Sequence, residues 1–144
     1  MTRSPTTDSR AALTAMYTAE ARYLAAGGPG TASFGLLAPC FAPDVVLHQA
    51  AGLPYGGVRR GHLGMERFFR AMSDTWAEFE LVEQDFLATG ETSVVRTIVR
   101  AVSRATGREP TFPILQTLTV REGRITEVRP FSWDTEAVAR ACTP

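Results

Sequence analysis

The chain predicts an α+β fold, with helices gathered against a long antiparallel meander that curls over them. Two observations carry this. Two helical patterns, a strand and a third helical pattern come first; four consecutive segments rich in Val, Ile, Thr and Phe then follow with the period of a strand. Helices segregated from a run of neighbouring strands argue for a layered α+β arrangement rather than alternating βαβ units.

Each element has its own signal. Residues 1–8 read as a flexible tail, leaving residues 9–144 as one domain. Asp8 or Ser9 can cap a helix running to about residue 26, with Leu13, Met16, Tyr17, Ala21 and Leu24 spaced along one face. Gly27-Gly28-Pro29-Gly30 ends it. Ser33 caps a short helix over residues 34–41, bent or partly 3₁₀ because Pro39 lies inside it. Residues 45–49 read as a strand, and a glycine-rich turn follows through Gly52 and Gly57. A helix over residues 62–76 places Leu63, Met65, Phe68, Phe69, Met72 and Trp76 at helical spacing. Strands are expected at 79–87, 92–103, 111–121 and 124–133, punctuated by Gly90, Gly107 and Glu122-Gly123. Asp134 or Thr135 caps a last helix to about residue 142.

Bulk properties exclude several classes. With 144 residues the chain suits one domain with a substantial core. Fifteen Lys and Arg balance fifteen Asp and Glu, so no net field draws nucleic acid or an anionic membrane. No apolar run approaches the roughly 20 residues of a membrane span. The first residues lack a signal-peptide core, and the two cysteines, Cys40 and Cys142, form neither a disulfide framework nor a metal set. A cytoplasmic protein is expected, without a metal or other cofactor. Phosphate-binding loops and nucleophile elbows are absent.

Several phrases in order then resemble a known family. They are Ala42-Pro43-Asp44-Val45-Val46, Gly52-Leu53-Pro54-Tyr55-Gly56-Gly57, Gly61 leading to Phe68-Phe69, Arg121-Glu122-Gly123-Arg124-Ile125, and Phe131-Ser132-Trp133-Asp134-Thr135. Together they resemble the SnoaL-like branch of the nuclear-transport-factor-like (cystatin-like α+β cone) superfamily, over almost the whole chain. The resemblance implies a strongly bent antiparallel sheet wrapped around a long N-terminal helix, an apolar pocket at the open end and a homodimer. It also implies polyketide-cyclase, isomerase, epoxide-hydrolase or dehydratase chemistry, or none, because fold alone does not set reaction.

Those chemistries can be checked position by position. The cyclase pocket histidine would fall at Gln116 and its acid/base aspartate at Pro130. The epoxide hydrolase aspartate would also fall at Pro130, with its Arg-Asp partners near Ile98 and Arg100. An isomerase base would fall at Gln49, and its protonated acid near Leu115 or Gln116. Glutamine and proline transfer no proton near neutral pH.

The residues left in view divide by chemistry. Leu47 and Gln49 share a strand face that is the pocket face in relatives. Gln116 alternates with Phe112, Ile114 and Leu118, so its amide meets either a ligand oxygen or the backbone. Tyr17 stands where relatives keep a pocket phenol, Tyr55 can form the rim or cover the core, and Phe69 faces inward from its helix. Arg100 and Arg96 either face an anionic ligand or lie on a solvated outer face. For proton transfer the candidates are His48, Asp85 and Asp134. His48 faces away from the pocket under strict alternation unless a bulge intervenes; His62 is expected to be solvated. Asp85 supplies a carboxylate if it turns inward, and Asp134 is either a helix cap or a group brought with Trp133 to the pocket mouth by a kink at Pro130.

The expectation is therefore a homodimeric protein that binds a small, mostly apolar, oxygenated molecule and engages neither nucleic acid nor membrane. Its catalytic candidates are His48, Asp85 and Asp134. Its binding candidates are Tyr17, Leu47, Gln49, Tyr55, Phe69, Arg100, Gln116 and Trp133. The reaction expected is a cofactor-independent cyclisation, isomerisation or dehydration; the alternative is a catalytically silent binding or protein-interaction module.

Overall fold

A computed structural model describes residues 5–144, with side chains described from Ser9 onward. The expected tail at residues 1–4 and capping by Asp8 lie outside what is described. Helix α1 (Pro5–Ala25) starts within the stretch expected to be tail. Pro5 suits that place because its fixed φ is already helical and its missing N–H would have no partner in a first turn. Ser9 does not cap: its buried hydroxyl donates to the Gly90 carbonyl and ties α1 to a distant turn.

After α1, the short segment expected to be bent or partly 3₁₀ forms two single 3₁₀ turns, Phe34–Leu36, capped by Ser33 as expected, and Ala38–Cys40, which holds Pro39. Strand β1 (Phe41–Gln49) begins four residues earlier than expected. The glycine-rich stretch then yields an unexpected strand, β2 (Gly57–Arg60), paired antiparallel with β1. Gly56 makes the tight return possible: a Cβ there would collide with the Ala50 carbonyl oxygen. Helix α2 (Gly61–Thr75) follows, burying Met65, Phe68 and Phe69 while Leu63 points outward. His62 is not freely solvated; its Nε2 lies 2.9 Å from the Phe41 carbonyl oxygen.

Four strands complete the chain before α3 (Thr135–Ala141): β3 (Trp76–Ala88), β4 (Thr92–Ser103), β5 (Thr111–Arg121) and β6 (Arg124–Ser132). The six strands form one curved, unclosed sheet in the order β2-β1-β6-β5-β4-β3, antiparallel except for the β1–β6 pair. This is the expected α+β cone. The helices cover its concave face, where β4 buries Ser93, Val95, Thr97, Val99, Ala101 and Ser103 in strict alternation.

Two irregularities matter for the site. A bulge between Leu81 and Glu83 inserts Val82 as an extra residue in β3. Phe79 and Leu81 oppose the inward Ala101 and Val99, whereas beyond the bulge Gln84 and Phe86 oppose the inward Thr97 and Val95. Inward parity thus switches from odd to even numbers, and Glu83 and Asp85 turn outward. The kink expected at Pro130 does not occur: Gln116 pairs with Pro130 and Leu115 with Phe131 in unbroken register. The β1 ladder on the other side of β6 ends at Val128, so proline's missing donor falls beyond that pairing.

Candidate functional site

A cavity of about 330 Å³ lies between α1, α2 and the concave sheet face. Its walls are mainly apolar, with Met16, Leu47, Met65, Phe68, Phe69, Leu118 and Val128 among them. Exposed Leu24, Gly27, Ser73 and Leu81 mark its mouth near the C-terminal ends of α1 and α2. Arg104 stands at that mouth, but its guanidinium donates to the Ser73 carbonyl at 2.9 and 3.1 Å and to the Trp76 carbonyl at 3.2 Å. Its charge is therefore spent largely on the end of α2, where the helix dipole favours a cation.

Six of the residues expected to contact a ligand line this cavity: Tyr17, Leu47, Gln49, Tyr55, Phe69 and Gln116. Alternation along β1 carries Val45, Leu47 and Gln49 inward, and alternation along β5 does the same for Phe112, Ile114, Gln116 and Leu118. Gln49 and Gln116 make no side-chain hydrogen bond to any described residue, so both amides remain available to the cavity. Tyr55 is buried against Phe68 and Trp76, with ring centroids 6.3 Å apart in both pairs. Burial pushes its phenol up to about 12, and the neighbouring Trp76 N–H pulls it partly back. Tyr17 leans on Phe86 at 6.2 Å, and its hydroxyl is buried with no partner among the described residues. Burial, and secondarily the charge of Glu20, holds that phenol well above its usual range.

The other five expected residues lie elsewhere. His48 faces the outer sheet surface, 3.4 Å from Glu127 and 3.4 Å from Arg129, because no bulge alters its parity with Leu47 and Gln49. Asp85 is turned outward by the Val82 bulge and pairs with Arg96 at 3.4 Å. Arg100 is also on the outer face, within 3.2 Å of Glu78 and Glu80 and 2.8 Å of Glu109. Asp134 caps α3 by accepting from the Ala137 N–H at 2.9 Å. Trp133 is 88% exposed and does not reach the cavity, since β6 runs through Pro130 without the kink that would re-aim it.

One lining residue escaped the sequence reading. Glu20 is the only carboxylate among the described residues of the cavity wall. It is partly buried, has no cation or hydrogen-bond donor among the described residues, and burial pushes its carboxyl up to about 7. The apolar seam of α1 is Leu13, Met16 and Tyr23, all buried, and Glu20 completes its i, i+3, i+7, i+10 spacing. Choosing Ala21 and Leu24 as the core face hid this, since both are exposed. A carboxyl interrupting an otherwise apolar seam was the available signal.

The family model described as the SnoaL-like domain matches residues 21–128. None of the curated proteins matches the chain. Among solved structures, an NTF2-like protein from Burkholderia xenovorans LB400 is 23% identical, with a TM-score of 0.82 over 96% of this chain and 98% of its own. TerC, co-crystallised with polyporic acid, is 20% identical, with a TM-score of 0.77 over 94% and 98% of the two chains. A Xanthomonas campestris pv. campestris protein, provisionally named a polyketide cyclase, is 19% identical, with a TM-score of 0.75 over 97% and 100%. At these identities the likeness establishes the fold.

Proposed function

Since the chain belongs to the SnoaL-like domain family, we propose that its cavity binds a small, mostly apolar, oxygen-bearing molecule and promotes a cofactor-independent rearrangement of the cyclase, isomerase or dehydratase type. One observation carries the binding reading: two glutamine amides with no hydrogen-bond partner among the described residues open onto a mainly apolar cavity. Both are half-buried, and a ligand carbonyl or hydroxyl that meets one of these amides gains about 0.5–1.5 kcal/mol and a fixed orientation. The co-crystallisation of a similarly folded protein with polyporic acid supports an organic ligand of this kind. The experiment is a thermal-shift screen of neutral oxygenated aromatic compounds. For a compound that stabilises the protein, Gln49→Leu and Gln116→Leu are each expected to weaken binding by about tenfold, the worth of one hydrogen bond. Unchanged affinity in both variants removes the assignment.

A binding protein without turnover is the second reading, favoured by Gln49, Gln116 and Pro130 lining the positions where relatives hold acids and bases. It predicts that a stabilising compound is recovered unchanged after incubation, as followed by NMR. The reading also includes a cytoplasmic homodimer. Leu115 and Phe131, paired across β5 and β6 on the outer sheet face, are 39% and 52% exposed and support self-association there. Sedimentation of a monomer at micromolar concentration would dispose of the dimer.

A further inference from the structure

We propose that Glu20 is the proton carrier of this cavity, acting as a base and then as an acid on the bound molecule; the inference rests on the ligand-binding reading above. None of the three groups expected to move protons, His48, Asp85 and Asp134, lines the cavity, and each has a partner elsewhere. Glu20 does line it, one turn after Met16 and one turn before Leu24, which line it as well. Other ionisable groups on the wall are the phenols of Tyr17 and Tyr55 and the guanidinium of Arg104. Both phenols are held protonated by burial, and Arg104 is bound to carbonyls at the end of α2.

The step balances without a cofactor. The Glu20 carboxylate takes a proton from a carbon beside a ligand carbonyl. The C–H pair moves into a new C=C bond, the carbonyl pair moves onto oxygen, and the carboxylic O–H forms. Returning that proton to a different carbon or to a leaving hydroxyl regenerates the carboxylate and completes an isomerisation or a dehydration. Because burial places the carboxyl near neutrality, both forms are populated where the cycle needs them.

The test uses the full chain and two probes. A neutral naphthalene dye, N-phenyl-1-naphthylamine, reports cavity binding by fluorescence. 5-Nitrobenzisoxazole reports base strength inside the cavity: removal of its ring C–H proton breaks the N–O bond and releases a coloured cyanonitrophenolate. Wild type is expected to bind the dye and to release phenolate at a rate that rises through about pH 7. Glu20→Gln should bind the dye as well as wild type but lose about a hundredfold in rate. Asp85→Asn, on the outer face, should match wild type in both. If wild type binds the dye yet eliminates no faster than buffer, or if Glu20→Gln keeps the wild-type rate and pH midpoint, Glu20 is not the carrier and the binding reading stands. Failure of every form to bind the dye overturns the binding reading and this inference with it.

Discussion

The two faces of the sheet treat charge in opposite ways. On the outer face, carboxylates and guanidinium groups interleave: Arg96 lies near Glu83 and Asp85, Arg100 near Glu78, Glu80 and Glu109, and Arg129 near Glu127 and His48. On the concave face, alternation along β4 and β5 presents Val95, Val99, Phe112 and Leu118 with small hydroxyls and one amide between them. Among the described residues, the single carboxylate of the cavity comes from α1, not from the sheet. The contrast teaches that the sheet separates water-facing charge from a mainly apolar chamber, whose acid is carried in by a helix. A paired carboxylate outside is expendable; an unpaired one inside shifts its acidity and becomes useful.

The sharpest way to break the contrast is to remove the residue that maintains it. Deleting Val82 restores simple alternation in β3 and turns either Glu83 and Asp85 or Phe79 and Leu81 to the wrong face. Burying two carboxylates away from Arg96 leaves uncompensated charge, at a cost of about 3–5 kcal/mol. Urea denaturation at pH 7 is expected to show that loss, and part of it should return at pH 4, where the carboxylates begin to take up protons. A deletion variant within about 1 kcal/mol of wild type would mean that β3 realigns without the bulge and that parity there is not enforced.

That bulge also marks what could and could not be read from the sequence. The spans of β4 and β5 match the expectation residue for residue, because uninterrupted Val, Ile and Thr alternation and flanking glycines leave little choice. Gln116, Gln49 and Leu47 follow from the same alternation. Asp85 does not, since an inserted residue in a strand of Phe, Leu and Val has no local signature and only the partner strand reveals it. β2 was hidden because Val58 stands alone among Gly57, Arg59 and Arg60, and its pairing with β1 depends on the Gly56 turn. Glu20 was obscured by a choice between two helical stripes one residue apart, which the structure decides by burying Tyr23 edge-on to Phe34 and Phe69 at 6.0 and 5.7 Å.

A second prediction sharpens the inner half of the contrast through stability alone. The Glu20 carboxyl stands at about 7 in the folded chain against an ordinary 4.5. The folded state therefore holds the proton more tightly than the unfolded one. Stability from this group is fully present below pH 4.5 and is lost as pH rises toward 7. For a group partly reached by water the loss is about 2 kcal/mol. Glu20→Gln carries no such titration, so it should gain on wild type between pH 5 and pH 8 by that amount in paired urea melts. Parallel pH profiles for the two proteins would place the Glu20 carboxyl in water.

The smallest effect belongs to the outer face. Arg100→Ala removes a guanidinium that meets three exposed carboxylates, so solvent and salt already screen most of what it contributes. It should leave the affinity for any cavity ligand unchanged, because the side chain lies on the far side of the sheet from Val99 and Ala101. The melting temperature should fall slightly in dilute buffer and converge on wild type in 1 M salt, where the Debye length is about 3 Å. Loss of ligand binding on this substitution would instead show that the outer charges communicate with the cavity. The same lattice of charge has a second use that the salt titration can expose. β3 is an edge strand, and a row of Glu78, Glu80, Glu83 and Asp85 along it discourages further strands from adding. Removing Arg100 leaves that row more negative, so solubility should hold even where stability slips.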